Sequence, residues 1–130
     1  MSPDVAPVEG EEMSLENKRI LVVEDEFLLA RELTKILESA GALVVGPIPS
    51  AARAMARLRE ETVDAAVLDI NVRGEDVERL ADALKEHAVP MIFATGYEDH
   101  HVRRNHPDAP CLPKPVDLEK LVTLLGEALG

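Results

Sequence analysis

Acidic side chains that follow apolar stretches are the residues of this chain best suited to chemistry. Glu24 and Asp25 come directly after the apolar run Ile20–Val23. Asp69 comes directly after the run Ala65–Leu68. Short apolar runs between helical patterns are typical of strands that are buried on both faces of a sheet. A carboxylate at the end of such a strand loses hydration, which costs free energy unless a cation lies nearby. The pattern therefore predicts a cation site around Asp69.

Two other polar residues follow later apolar stretches. Thr95 comes after Val89–Ala94, and Lys114 comes shortly after Cys111–Leu112. In a doubly wound sheet, ligands bind beyond the carboxyl ends of the strands, so these side chains are expected to meet the acids in one crevice. Oxygen ligands of this kind favour Mg²⁺, with Mn²⁺ as the second choice.

The elements that position these residues are predicted from apolar patterns. The predicted strands are Ile20–Val23, Leu43–Val45, Val63–Leu68, Val89–Ala94 and Cys111–Leu112. Gly46-Pro47 is expected to end the second strand. Helices with one apolar face are predicted between the strands and after the last strand, and Ser50 and Asp117 are expected to cap two of them. A short, weakly patterned helix is predicted within residues 98–109. The alternation favours an α/β fold, a doubly wound, five-stranded parallel sheet with helices on both faces.

Size and charge limit the kinds of function. The 130 residues suffice for one domain, which we expect at residues 18–130, after a disordered acidic tail at residues 1–17. A formal net charge of −11 argues against direct binding of nucleic acid, which needs a basic surface. The single cysteine, Cys111, favours a reducing compartment, and no apolar run is long enough for a membrane span. The sequence therefore indicates a cytoplasmic protein without membrane insertion.

From Lys18 to Leu129 the sequence resembles the receiver domain of two-component response regulators. The matching residues are Glu24, Asp25, Asp69, Thr95, Lys114 and Pro115. The resemblance implies a flavodoxin-like receiver fold with the strand order 2-1-3-4-5. It also implies a phosphoacceptor signalling protein, which is not an enzyme beyond its own phosphoryl transfer and hydrolysis.

The resemblance implies a role for each residue of the crevice. Asp69 is expected to accept a phosphoryl group from a phosphohistidine on a sensor histidine kinase, in a Mg²⁺-dependent step. The residues expected to bind the metal are Glu24, Asp25, Asp69 and, through its backbone carbonyl, Asn71. Those expected to bind the phosphoryl group or to switch are Thr95, Gly96, Tyr97 and Lys114. The Lys114–Pro115 peptide bond is expected to be cis.

A narrower resemblance lies in the runs Phe93-Ala94-Thr95-Gly96-Tyr97 and Pro113-Lys114-Pro115. Both are similar to motifs of the "FAT GUY" group of single-domain response regulators. Membership implies a stand-alone regulator that is paired with a sensor kinase of the HWE or a related type. Its output would be a contact with a downstream protein partner or a phosphotransfer protein.

Cys111 departs from the receiver pattern, because most receivers carry an aromatic residue at that place, three residues before the lysine. We hypothesise that the switch passes instead through the segment after Thr95, with Tyr97 as the moving ring. Phosphorylation-induced spectral changes in residues 95–110 that persist in Tyr97→Ala would contradict this hypothesis.

Other functions remain open as alternatives. A phosphate sink or phosphorelay intermediate would drain a kinase without an effector of its own, and a pseudo-receiver would bind partners without phosphorylation. A phosphatase of the haloacid-dehalogenase class also uses an aspartate nucleophile, but it needs a second acid two residues later, where this chain has Asn71. A metal site formed by His100, His101 and His106 is disfavoured, because such histidines are usually exposed and no cysteine or acid stands at zinc spacing.

Overall fold

The fold is a five-stranded sheet with helices on both faces. The structure is a computed structural model that describes residues 14–72, 77–96 and 101–130, without the side chains of residues 101 and 103. The strands are β1 (Arg19–Val23), β2 (Leu43–Ile48), β3 (Ala65–Asp69), β4 (Met91–Thr95) and β5 (Cys111–Pro113). The helices are α1 (Phe27–Ser39), α2 (Ala51–Leu58), α3 (Val77–Glu86), α4 (His101–Asn105) and α5 (Leu118–Leu129). All strand pairs are parallel, in the order β2-β1-β3-β4-β5, which confirms the predicted sheet.

Alternating side chains of the central strands form two apolar layers. Leu21, Leu68 and Phe93 belong to the layer that also contains residues of α2 and α3. Val67 and Ile92 belong to the opposite layer, together with residues of α1 and α5. Every residue of β3 and β4 is buried, as expected for strands that are covered on both faces. The polar side chains of these two strands, Asp69 and Thr95, are therefore found at the strand ends.

Two of the helices begin where the sequence predicts. The Oγ of Ser50 accepts a hydrogen bond from the backbone N–H of Arg53 at 3.1 Å, and Oδ1 of Asp117 accepts one from the N–H of Lys120 at 3.1 Å. Each bond satisfies one of the N–H groups that the first turn of a helix leaves unpaired. None of the described helices is long and apolar enough to cross a membrane.

The prediction that the second strand ends at Gly46-Pro47 is wrong. The strand continues to Ile48, which pairs with Val23 after a register shift, and the Gly46–Pro47 peptide bond is cis. β2 lies at the border of the sheet, where a proline without an N–H group interrupts few hydrogen bonds. Gly46 has a φ of +119°, and a Cβ there would lie 2.8 Å from the carbonyl oxygen of Val22. A glycine is therefore required at this step.

The predicted boundary of the disordered tail is wrong at its C-terminal end, because residues 14–17 pack against the domain. Leu15 is fully buried, and its N–H donates a hydrogen bond to the carbonyl oxygen of Ala40 at 3.0 Å. The neighbours of Leu15 are mostly polar, so no apolar period in the sequence marks it. The rest of the proposed tail, residues 1–13, lies outside the described residues.

The expectation that His106 is exposed is also wrong. Only 5% of the residue is exposed, and its Nε2 lies 2.9 Å from Oδ1 of Asp82. The ring also packs edge-on against Phe93. These partners offset the burial of a polar ring, and they come from elements that are distant in sequence, so the polar run around His106 gives no sign of them. His100 and the side chain of His101 lie outside the described residues.

Candidate functional site

Three predicted acids meet at one edge of the sheet. Glu24 directly follows β1 and is only 3% exposed, Asp69 is the last residue of β3 and is 2% exposed, and Asp25 is exposed. Each of the three offers a carboxylate oxygen within 4.8 Å of the other two. Because β1 and β3 are neighbouring parallel strands, their carboxyl ends bring these acids together.

Lys114 supplies the positive charge of the cluster. It follows β5, and its Nζ lies 3.2 Å from Oδ2 of Asp69, 3.5 Å from Oε2 of Glu24 and 3.8 Å from Oε1 of Glu26. Burial acts to lower the pKa of Lys114, but the charges of Asp69 and Glu24 outweigh it, so the pKa is raised above the usual value. The Lys114–Pro115 peptide bond is cis, as the resemblance implied.

Glu24 has the least satisfied carboxylate of the cluster. Its Oε2 accepts a hydrogen bond from the N–H of Glu26 at 3.1 Å, while its Oε1 is buried without a hydrogen-bond partner among the described residues. Burial raises the pKa of Glu24 to about 7, and the charge of Asp69 adds to the effect. The Glu26 N–H and Lys114 oppose the shift only in part. This carboxylate is therefore short of positive charge.

The donor set fits a hard cation. Three carboxylates converge, and one of them has a buried oxygen without a partner among the described residues. Oxygen ligands of this kind suit Mg²⁺, a hard cation that binds carboxylate and carbonyl oxygens and keeps several waters. The cluster contains Glu24, Asp25 and Asp69 of the predicted ligand set, and the role expected for the Asn71 carbonyl stays a prediction.

Asn71 and Thr95 connect the acids to the end of β4. The N–H of Asn71 donates a hydrogen bond to Oδ1 of Asp69 at 2.9 Å, and Oγ1 of Thr95 donates one to Oδ1 of Asn71 at 3.3 Å. Thr95 is the last residue of β4 and is 4% exposed. The N–H of Lys114 donates to the carbonyl oxygen of Thr95 at 2.9 Å, so the main chain ties two strand ends together.

Two further predicted residues follow Thr95. Gly96 is exposed, and a Cβ at this position would meet no atom within 4 Å. Tyr97, the proposed moving ring, lies outside the described residues, so the hypothesis about it stays a prediction.

Sequence reasoning missed one residue of the site, Glu26, and the side-chain contact of another, Asn71. The carboxylate of Glu26 lies near Lys114, and the side-chain oxygen of Asn71 accepts a hydrogen bond from Thr95. Glu26 is visible in the sequence as the third acid of Glu24-Asp25-Glu26, but its type and position do not indicate that it turns toward the lysine. For Asn71 the sequence led us to expect only a role of the backbone.

The chain is similar to known proteins over most of its length. The protein MrkE of Klebsiella pneumoniae is 28% identical over 117 residues, which are 87% of this chain and 44% of MrkE. Among solved structures, the BeF3-activated conformation of SdrG from Pseudomonas melonis Fr1 matches with a TM-score of 0.71 and 36% identity, over 88% of this chain and 98% of that chain. A response regulator receiver protein from Sinorhizobium medicae WSM419 matches with a TM-score of 0.79 and 28% identity, over 88% and 95% of the two chains.

The match to a family covers most of the chain. The chain spans less than half the length of the curated relatives that it matches, so the likeness to them concerns one part of each. A sequence model of the response regulator receiver domain matches residues 20–126, from the second residue of β1 into α5. With the sheet order and the acidic edge described above, this match shows that the chain belongs to the receiver domains of two-component response regulators.

Proposed function

We propose that the protein accepts a phosphoryl group on Asp69 from a phosphohistidine of a sensor histidine kinase, and that it signals through protein contacts that depend on phosphorylation. Receiver domains are phosphoacceptor signalling modules. The observation that carries the proposal is the environment of Asp69. Its carboxylate is buried at a strand end, 3.2 Å from the Lys114 ammonium and beside two other acids.

The chain's own residues prepare the transfer. The N–H of Asn71 holds Oδ1 of Asp69, and Lys114 lies beside Oδ2. A carboxylate oxygen of Asp69 attacks phosphorus while the P–N bond of the donor breaks. The electron pair of the P–N bond stays on the imidazole nitrogen of the donor. That nitrogen then takes a proton from water. Lys114 then faces the negative charge of the bound phosphoryl group and forms a charge-assisted contact with it.

Mg²⁺ would be held by Glu24, Asp25, Asp69 and the backbone carbonyl of Asn71, and when bound it neutralises negative charge on the transferring group. The buried Oε1 of Glu24, which has no hydrogen-bond partner among the described residues, supports this assignment. Asn71 also argues against the phosphatase alternative. Its amide stands two residues after the nucleophile and accepts a hydrogen bond from Thr95, and an amide is no general acid.

Labelling of Asp69 tests the proposal. The purified chain is incubated with acetyl phosphate and Mg²⁺ and is measured by intact mass spectrometry. We expect an added phosphoryl mass that depends on Mg²⁺, that is lost in Asp69→Asn and that maps to the peptide containing Asp69. Asp108→Asn is the matched control, because Asp108 precedes β5 and so lies toward the opposite edge of the sheet.

No mass gain in the wild-type chain, or an equal gain in Asp69→Asn, would overturn the proposal. The kinase partner is tested separately by transfer from phosphorylated histidine kinases, with HWE kinases expected to be the fastest donors. Capture of a target by the phosphorylated form alone would distinguish a regulator from a sink or relay.

A further inference from the structure

The ring of His106 contacts two elements other than its own. His106 directly follows α4, and its Nε2 lies 2.9 Å from Oδ1 of Asp82 in α3. Its ring centroid lies 6.3 Å from that of Phe93 in β4, with the ring planes inclined by 69°. Edge-to-face packing of this kind is a favourable arrangement of two aromatic rings. One side chain thus connects α4 to α3 and to the strand that ends in Thr95.

The hydrogen bonding of His106 indicates which ring nitrogen carries the proton when the ring is neutral. Nδ1 is buried and has no partner in the described part of the chain. A proton on Nδ1 would bury an unpaired donor, whereas a proton on Nε2 is donated to the carboxylate of Asp82. We therefore assign the proton of the neutral ring to Nε2.

Contacts with α3 and with the apolar layer hold α4 in place. The helix has five residues, too few to persist through its own hydrogen bonds. Val102 inserts into the apolar layer and is 1% exposed, and Nδ2 of Asn105 donates a hydrogen bond to Glu78 of α3. Together with the bond from His106 to Asp82, these contacts hold α4 against α3.

The neighbour of Phe93 on β5 is not aromatic, so the ring of His106 is an aromatic contact that β5 does not offer. Cys111 of β5 pairs with Phe93 in the register of the two strands, and a cysteine offers Phe93 no ring to pack against. His106 supplies that ring. His106 also lines an open pocket of about 630 Å³, together with Met91 and Leu124.

We propose that His106 is a positioning residue that couples the Thr95 end of β4 to α3 and α4. A displacement of β4 moves Phe93, the His106 ring follows Phe93, and Asp82 passes the change on to α3. The inference rests on the proposed function, because a phosphoryl group on Asp69 is what would displace Thr95.

Amide hydrogen exchange measured by mass spectrometry tests the coupling. The chain is measured with Mg²⁺, with and without beryllofluoride as the phosphoryl analogue. In the wild type we expect beryllofluoride to change exchange in α3 and α4. In His106→Ala we expect this change to be lost, and exchange of residues 102–106 without beryllofluoride to be about fivefold faster, since one net hydrogen bond is gone. Exchange in α1 and α5 should stay at the wild-type level, whereas a purely structural role would raise it everywhere.

Two gentler variants separate the contacts of the ring. His106→Phe keeps a ring against Phe93 but removes the bond to Asp82, and Asp82→Asn weakens the same bond from the other side. Both should keep the beryllofluoride response of α4 and lose that of α3. The control is His87→Ala, because His87 is an exposed histidine after α3 and should change neither response.

A wild-type response of α4 in His106→Ala would overturn the coupling. If acetyl phosphate does not label Asp69, the proposed function fails instead, and the exchange of α4 without beryllofluoride still decides the coupling. Equal rates in the wild type and His106→Ala under that condition would refute it.

Discussion

Glu24 illustrates how a single residue can set both the stability of the protein and its affinity for a cation. Its pKa is about 7 in the folded protein, above the ordinary value of 4.5. Between these two pH values the folded state keeps a proton that the unfolded chain has released. The free energy of unfolding therefore falls as the pH rises from about 4.5 to about 7, and the loss persists at higher pH.

Glu24→Gln is expected to raise the free energy of unfolding of the metal-free protein by about 2 kcal/mol at pH 8, because the neutral amide no longer has to hold a charge in a buried site. Below pH 4.5 the gain should vanish. Urea unfolding at the two pH values measures the difference, with Glu32→Gln on the exposed face of α1 as the control. Addition of Mg²⁺ should stabilise the wild type more than the variant. A variant that is less stable than the wild type at pH 8 without metal would contradict this account.

The sequence was sufficient to predict the positions of residues that stand at a strand end, while their roles stay predictions. Asp69, Glu24 and Lys114 are of this kind, since each follows an apolar run. The contribution of Glu26 and the side chain of Asn71 could not be predicted, because it depends on the path of the loops after β1 and β3. His106 could not be predicted either, because its partners Asp82 and Phe93 come from other elements.

The helices and strands agree with the sequence pattern except where contacts with a neighbouring part of the chain determine the local structure. β2 passes through Gly46-Pro47 because β1 continues beside it to Val23. The weakly patterned helix expected within residues 98–109 is present as α4, whose contacts with α3 replace the missing apolar period. Residues 14–17 pack on the domain through Leu15, a single apolar residue without a periodic pattern.

Substitution of one buried and one exposed leucine tests whether residues 14–17 contribute to the stability of the domain. Leu15→Ala should lower the free energy of unfolding by about 2–4 kcal/mol, because it empties a fully buried site between α1, β1 and α5. Leu28→Ala removes the same atoms from a side chain that is 66% exposed and should change the stability by less than about 0.5 kcal/mol. Urea unfolding of both variants at one pH makes the comparison. Equal effects would show that residues 14–17 contribute nothing to the packed domain.

At the scale of the whole molecule, charge is the dominant property. The chain carries a net charge of −11, and the site contributes four carboxylates and one ammonium to it. An anionic phosphodonor must therefore approach against a negative potential, which dissolved salt screens over about 8–10 Å at physiological ionic strength. The same potential attracts Mg²⁺ toward the acidic edge.

With Mg²⁺ at saturation, the labelling of Asp69 by acetyl phosphate should become about two- to fivefold faster as the salt concentration rises from about 20 to about 200 mM, because screening weakens the repulsion of the donor. Initial rates of mass gain measure the effect, and calorimetric titration at each salt concentration verifies that the metal site stays filled. A rate that falls with salt under these conditions would show that attraction to the local ammonium outweighs the charge of the molecule.

The hydrogen bond between the N–H of Lys114 and the carbonyl oxygen of Thr95 affects how substitutions of these two residues are interpreted. It joins main-chain atoms, so exchanging either side chain for another, proline excepted, leaves the bond in place. Lys114→Met and Thr95→Ala therefore delete an ammonium and a hydroxyl while the two strand ends stay aligned. A defect in either variant is attributable to the lost group rather than to a shifted scaffold. The alignment of the two strand ends therefore does not depend on which side chains stand at these positions. The side chains of the site can change in evolution while the backbone arrangement is kept.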